Sequence, residues 1–353
     1  MSWQQRLVER WQQPRAGPLL IALRPLSWLY GSLAALHRSL YSLGLRSTRR
    51  APRPVVVVGN LVAGGAGKTP AVIALVGQLQ SLGQRPGVIS RGHGRADDAV
   101  RLVERTSAAD AVGDEPLLIH LRTGVPVAVG RDRVAAAEAL CAAHPEVDLI
   151  VADDGLQHLG LARELQILVF DDRGAGNGRL LPAGPLRQSM PASLPEHTLV
   201  LYTHGRASTP LPGAVGERSL AGFTPLADWW QGAAPRPEAI GELLGKPLLA
   251  AAGLARPEPF FRMLERLGLV IGRVALPDHA RFDPLPWPSR TPDVVVTEKD
   301  AVKLRPDAIG ATRVWVATLD FRLPPDFGRQ VLHRLEQTAG RGDNDANGAK
   351  GTP

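Results

Sequence analysis

Lys68 and Thr69 close a glycine-rich run, Gly59, Asn60, Leu61, Val62, Ala63, Gly64, Gly65, Ala66 and Gly67, that follows four consecutive valines, Val55 to Val58. Glycines let backbone N–H groups turn toward an anion, and a helix starting at the end of such a loop adds the positive end of its dipole. In this scheme Lys68 suits the β- and γ-phosphates of a nucleoside triphosphate and the Thr69 hydroxyl suits Mg²⁺. The usual spacing places glycine where this chain has Val62, and Gly64-Gly65 is expected to compensate in part. Further along, DLIVADD ends in Asp153 and Asp154; in a phosphate-loop protein an aspartate there holds Mg²⁺ directly or through water. The loop and the aspartate pair together specify nucleotide chemistry far better than either alone.

Other reactive groups also fall at the ends of apolar runs. The basic loop Arg91-Gly92-His93-Gly94-Arg95 follows a strand-like stretch, where open α/β sheets bind ligands. Asp114 and Glu115 enter an apolar helix, and by spacing alone they read as an acidic first turn. Gly155, Gln157 and His158 share a loop with the aspartate pair, and His158 by itself reads as a structural residue or a partner of those aspartates. Arg179 and Arg187, in a segment too rich in glycine and proline for helix or strand, are suited to gripping phosphates.

The elements that must position these groups alternate. Strands are expected at 55–58, 86–90, 125–129, 148–154, 165–170, 199–203, 247–252, 269–276, 293–297 and 313–317, with helices at 70–82, 117–121, 257–267 and 326–337 and an alanine-rich helix after Arg133. This pattern predicts an α/β fold: a phosphate-loop domain with a mainly parallel sheet, a second and smaller α/β domain, and an amphipathic N-terminal helix. The expected boundaries are a basic N-terminal segment at 1–53, the phosphate-loop core at 54–206, a proline- and glycine-rich linker at 207–245, the smaller domain at 246–338 and a disordered polar tail at 339–353.

The 353 residues carry a net charge of +7, with 44% hydrophobic and 21% charged residues, which suits a globular chain rather than a disordered one. The single cysteine, Cys141, cannot form an internal disulfide, which fits a reducing compartment. Nine arginines stand against Glu9 alone in residues 1–53, so the rest of the chain is close to neutral. Within that segment Leu26, Leu29, Leu33, Leu36, Leu40 and Leu43 step by threes and fours along one helix side, with Trp3, Trp11, Trp28, Tyr30 and Tyr41 on or near it. The longest uncharged run, Pro25 to Leu36, is far short of the roughly 20 residues a spanning helix needs. A basic amphipathic segment of this kind lies on an anionic membrane surface; packing on the protein's own core is the alternative. Glu9, Arg10 and Arg15 interrupt any signal-peptide layout. With the basic residues confined to a leucine-lined segment, no nucleic-acid partner is expected, and the chain is taken to be a monomer.

Taken together, GNLVAGGAGKTP at 59–70, SRGHGR at 90–95, VGDEP at 112–116, DDGLQH at 153–158, GNGRLLPAGPLR at 176–187, PDH at 277–279 and VTEKDAVK at 296–303 resemble the tetraacyldisaccharide 4′-kinase family of Gram-negative bacteria. The resemblance spans about residues 55–305, departs from the family pattern at His93, Gln188 and Ala280, and extends to the family's membrane-associating N-terminus. It implies transfer of the γ-phosphoryl of ATP, with Mg²⁺, to the 4′-hydroxyl of a tetraacyldisaccharide 1-phosphate. The product would be lipid IVA, made at the cytoplasmic face of the inner membrane. It also implies that Asp114 is the base accepting the hydroxyl proton and that His279 is its partner, beside Lys68 as a catalytic cation. Arg91, Glu115, His158 and Arg187 are implied as substrate contacts. With His279 assigned to the smaller domain, the pair would assemble only on closure of the two domains. A membrane-surface ATPase or GTPase switch would use the same loop and basic helix but leaves Asp114 and His279 without a role.

Overall fold

The computed structural model describes residues 3–13, 17–65, 67–95 and 97–348. Ala66 of the phosphate loop, Arg15 and the tail residues 349–353 lie outside the described residues. The strands, in chain order, are β1 Val55–Gly59, β2 Pro86–Ser90, β3 Arg101–Leu102, β4 Val127–Val129, β5 Leu149–Asp153 and β6 Leu165–Phe170. They continue with β7 Thr198–Tyr202, β8 Ala214–Val215, β9 Glu217–Pro225, β10 Leu248–Ala252, β11 Ile271–Ala275, β12 Asp293–Thr297 and β13 Arg313–Arg322.

The chain forms two compact units, each discontinuous in sequence: residues 1–90, 132–217 and 321–353 make the first, and residues 91–131 and 218–320 the second. The expected division was contiguous. What it placed in the phosphate-loop core but the structure places in the second unit is the segment 91–131, which includes the helix Asp114–Thr123.

In the first unit the strands run β2-β5-β1-β6-β7-β8, and these neighbours pair in parallel. Strand β1 lies in the middle and is buried at all five residues, which is why it reads as unbroken valine rather than as alternating polar and apolar residues. The helix Lys68–Ser81 follows it and buries Val72, Leu75, Val76 and Leu79. In the second unit five strands run β11-β10-β12-β13-β9 over a core that includes Phe223, Phe260, Phe261, Leu264, Val295 and Trp315. The short pair β3 and β4 is antiparallel.

Two further expectations, on individual elements, differ from the structure. The stretch read as a linker contains β9 and the helix Leu226–Trp230: β9 opens on the exposed Glu217, Arg218 and Ser219 and ends on Pro225, so its composition reads as a loop although Gly222, Phe223 and Thr224 are buried in succession. The closing helix, expected to stop at 337, runs Phe327–Gly348, into the stretch expected to be a disordered tail.

The N-terminal helix Arg24–Ser42 exists, and it is oriented unusually. Its small and polar side is turned inward: Ser27 Oγ donates to the Leu180 carbonyl at 3.0 Å and accepts from the Ala183 N–H at 2.9 Å, Tyr30 Oη donates to the Arg187 carbonyl at 2.9 Å, and a Cβ at Gly31 would come within 2.8 Å of Leu180. The leucines face outward, with Leu29, Leu33 and Leu36 each more than half exposed. The core-packing alternative therefore does not describe the leucine stripe. No helix among the described residues is long and apolar enough to cross a membrane.

Candidate functional site

In the first unit, the parallel register sets Val58 of β1 opposite Asp153 of β5, and the Asp154 N–H donates to the Val58 carbonyl at 2.9 Å. The aspartate pair and the start of the phosphate loop are thereby neighbours at the C-terminal strand ends. Asn60, fully buried, braces the loop from inside: its Nδ2 donates to the Val62 carbonyl at 2.6 Å and to that of Gly64 at 3.1 Å, and its Oδ1 accepts from Lys68 Nζ at 3.1 Å. Lys68 is itself buried, with its ammonium 3.6 Å from Asp154 Oδ1. Gly67 sits in the left-handed region at φ 75°, and the helix it starts has no side-chain cap, which leaves its first turn suited to an anion.

Val62 has a physical reason that a motif alone does not supply. It is buried and forms an antiparallel bridge with Leu186, flanked by Ala63 N–H to the Pro185 carbonyl and Arg187 N–H to the Leu61 carbonyl, both at 2.7 Å. The position is extended backbone, where glycine has no advantage. The same bridge delivers Arg187, whose Nη1 lies 3.4 Å from Asp154 Oδ1 and 3.3 Å from Gln157 Oε1. Arg179 is tied by its backbone, its N–H donating to Asn177 Oδ1 at 3.1 Å and its carbonyl accepting from the Leu186 N–H at 3.0 Å. Sequence reasoning passed over Arg173, which donates to the Gly65 carbonyl at 2.6 Å and pairs with Asp171 at 2.7 Å. Its signal was the charged end of β6, beside the phosphate loop's own strand. His158 is half-buried on the same loop as Asp154, and its carbonyl accepts from Arg163.

The second unit holds a different constellation. His279 Nδ1 lies 3.0 Å from Asp114 Oδ2, so the two residues, 165 apart in sequence, meet within one unit and need no closure of the units to find each other. Gly113, at φ 93°, packs so closely on Gly92 that a Cβ there would stand 2.9 Å from the Gly92 Cα; only glycine allows the basic loop to lie against the start of the helix that carries Asp114. His93 on that loop faces the His279 ring, the ring centroids 5.2 Å apart. Lys303 Nζ lies 3.3 Å from Asp114 Oδ2 and 3.1 Å from Asp300 Oδ1. Lys299 Nζ lies 3.2 Å from Glu115 Oε1 and 3.1 Å from Asp278 Oδ1. Burial works to raise the Asp114 carboxyl, but the His279 hydrogen bond and the Lys303 charge prevail and hold it below the usual aspartate range. Arg91 is exposed at the start of this unit.

His279 and Asp154 are the two non-glycine residues with positive φ among the described residues, at 58° and 52°. Backbone of this kind is enriched where function demands a side chain in a fixed place, and here it falls on one candidate residue in each unit.

Residues 19–336 match the family described as Tetraacyldisaccharide-1-P 4′-kinase. The chain belongs to this family. It is 56% identical to the tetraacyldisaccharide 4′-kinase of Methylibium petroleiphilum over 326 residues, covering 91% of this chain and 90% of that one. Identity to the tetraacyldisaccharide 4′-kinase of Leptothrix cholodnii is 52% over 334 residues, covering 94% and 95%. Among solved structures, LpxK from Aquifex aeolicus, crystallised in complex with ATP, matches with a TM-score of 0.73 at 25% identity, covering 90% of this chain and 99% of that one. As a member of the family the chain is a lipid A 4′-kinase, an ATP-using transferase of lipid A biosynthesis.

Proposed function

We propose that the first unit holds the phosphate donor and the second the acceptor base. Lys68 and the amides around Gly64, Gly65 and Gly67 bind the ATP phosphates, with Arg187 beside them. Phosphoryl transfer is chiefly positioning and charge neutralisation, and these groups supply both. Thr69, Asp153 and Asp154 would hold Mg²⁺. The donor set fits that ion: the groups are hard oxygens, Asp153 is buried beside Ser90 Oγ at 3.4 Å, and Mg²⁺ needs only one or two carboxylates when phosphates and water complete its shell. Bound there, Mg²⁺ would neutralise charge on the transferring phosphate.

In the second unit Asp114 accepts the proton of the 4′-hydroxyl as its oxygen bonds to the γ-phosphorus and ADP leaves; the product is lipid IVA. His279 orients the carboxylate. A carboxylate held below its usual range is a weak base but always charged at neutral pH, and that suffices where the hydroxyl gives up its proton late, as in a loose, metaphosphate-like transition state. The observation that carries this reading is the 3.0 Å bond between His279 Nδ1 and Asp114 Oδ2.

The outward leucines of Arg24–Ser42, on a basic segment, support peripheral attachment to the cytoplasmic face of the inner membrane, where the lipid acceptor resides. We take the working protein to be a monomer on that surface, with no nucleic-acid partner. The test is labelled ATP with Mg²⁺ and a tetraacyldisaccharide 1-phosphate in mixed micelles. The wild type should give the doubly phosphorylated lipid. Turnover near wild type for both Asp114→Ala and His279→Ala, with ATP binding intact, would rule out the assigned pair.

A further inference from the structure

The segment Val296–Lys303 places Lys299 against the far side of the His279 ring. Its Nζ is 3.3 Å from His279 Nε2, in addition to its contacts with Asp278 and Glu115, and its side chain is only 17% exposed. Burial opposes the charge on Lys299, yet Glu115 and Asp278 overcome it and raise its pKa above the ordinary lysine value. An ammonium group has three N–H donors and no acceptor. With three partners at hydrogen-bonding distance, each takes one proton, and Nε2 can only offer its lone pair. The single proton of a neutral ring then sits on Nδ1, where it donates to Asp114 Oδ2.

The other groups facing the ring do not reproduce this effect. Asp278 Oδ2, 3.9 Å from Nε2, would favour a proton on Nε2 instead. Lys303 acts on Asp114 rather than on the ring, and His93 meets the His279 ring with its own ring, the centroids 5.2 Å apart and the planes tilted by 59°. Asp300, which anchors Lys303, is itself fixed by Thr297 Oγ1 at 2.7 Å and the Gly253 N–H at 3.0 Å.

We propose that Lys299 is a positioning residue that fixes His279 as the Nδ1–H tautomer, so that the ring orients Asp114 and cannot itself serve as the proton acceptor. The inference rests on the Asp114–His279 assignment and adds to it the reason the pair acts in one direction only.

The experiment is long-range ¹⁵N–¹H correlation of the full chain labelled at histidine, near neutral pH, with the His279 signals assigned by their loss in His279→Gln. The wild type should show a protonated Nδ1 and an Nε2 in the unprotonated, hydrogen-bond-accepting range. In Lys299→Met the signals should move toward a protonated Nε2, and kcat should fall about tenfold with the ATP KM unchanged. A mispositioned tautomer can cost up to about 10⁴ where the ring itself relays the proton, and less is expected where it only orients. Lys299→Arg, which keeps the charge and the donors, should restore the wild-type tautomer and most of the rate. A protonated Nε2 in the wild type, or wild-type signals in Lys299→Met, would overturn the proposal. If Lys299→Met does not fold, the wild-type spectrum decides alone. Failure of the underlying assignment looks different: His279→Gln would then turn over near the wild-type rate whatever the tautomer.

Discussion

The two units both hold buried cations close to aspartates, but they hold them differently. In the first, Lys68 rests on a neutral amide oxygen of Asn60 at 3.1 Å and stands off from Asp154 at 3.6 Å, and the loop around it is braced by backbone carbonyls. In the second, Asp114, Glu115, Asp278, Asp300, Lys299 and Lys303 are knitted into ion pairs of 3.1–3.3 Å. A site for an anion that arrives and leaves with every turnover needs cations that can change partners. A base that must keep one orientation and one charge state through every turnover needs cations that cannot. The left-handed backbone at Asp154 and at His279 marks one residue of each kind, at a cost of about 1–3 kcal/mol for such conformations.

The contrast is broken most severely by removing one group from each half. Asp114→Asn keeps the shape and a hydrogen-bond partner for His279 but cannot take a proton, so kcat should fall by about 10²–10⁴ with KM for ATP and lipid little changed. Lys68→Met should lower kcat by about 10²–10³ and also weaken ATP binding, since its charge acts on both the bound and the transferring phosphate. Steady-state kinetics with each substrate varied separates the two; equal effects of both variants on ATP KM would erase the distinction. Next in size is a stability effect. Arg122 Nη1 lies 2.7 Å from both oxygens of the buried Glu298, which burial pushes up in pKa despite that pairing. Arg122→Ala strands the carboxylate, and chemical denaturation should show a loss of about 3–5 kcal/mol. A carboxyl whose folded pKa is raised favours the folded state below its unfolded pKa and loses that contribution as pH rises through the folded value, so the variant's deficit should grow from acid toward neutral pH.

How much of each half was legible follows from the same contrast. The proposed donor half is written locally: four valines, a glycine loop and Lys68-Thr69 in one run, completed by the aspartates of a strand adjacent in the sheet. Its residue types and order suffice, and only the Leu186 bridge explains why Val62 is tolerated. The proposed acceptor half is scattered over Asp114, His279 and Lys299, and neither spacing nor periodicity joins them. Alone, Asp114 and Glu115 looked like a helix cap, and only the family resemblance coupled Asp114 to His279. The regrouping of residues 91–131 with 218–320 was illegible for a related reason: chain order assigns neighbouring segments to one unit, whereas tertiary contacts do not. The hidden strand β9 shows the limit of composition, since glycine, proline and charge within it resemble a linker.

The N-terminal helix tests whether the donor half's unit is also the membrane-attached one. Leu29, Leu33 and Leu36 are 57%, 58% and 58% exposed, so replacing all three by serine should leave stability within about 0.5 kcal/mol per site. Co-sedimentation with vesicles containing anionic lipid should nevertheless fall by about tenfold or more, because burying a leucine in the interface is favourable by about 1–2 kcal/mol. Activity on a soluble, short-chain acceptor should be unaffected. Unchanged vesicle binding would remove the assigned role of the stripe.

The smallest effect expected is the most diagnostic for the acceptor half. Burial raises the Asp114 carboxyl, and His279 and then Lys303 more than reverse it. Because the folded-state pKa is lowered, the charged form of Asp114 contributes stability above the unfolded value of about 3.9, and this contribution is lost as pH falls through the folded value. For the same reason the acidic limb of kcat/KM in the wild type should not come from Asp114 at any pH near neutrality. Lys303→Met removes one of the favourable influences while leaving His279 and Lys299 in place, so the Asp114 limb should move to higher pH and its stabilising contribution should begin to fade at a higher pH. The corresponding change in the donor half, Asn60→Ala, takes away a neutral brace and should lower the rate evenly across the pH range without displacing the limb. If both variants displaced the limb alike, the clamped charges of the second unit would differ from the looser cradle of the first only in appearance.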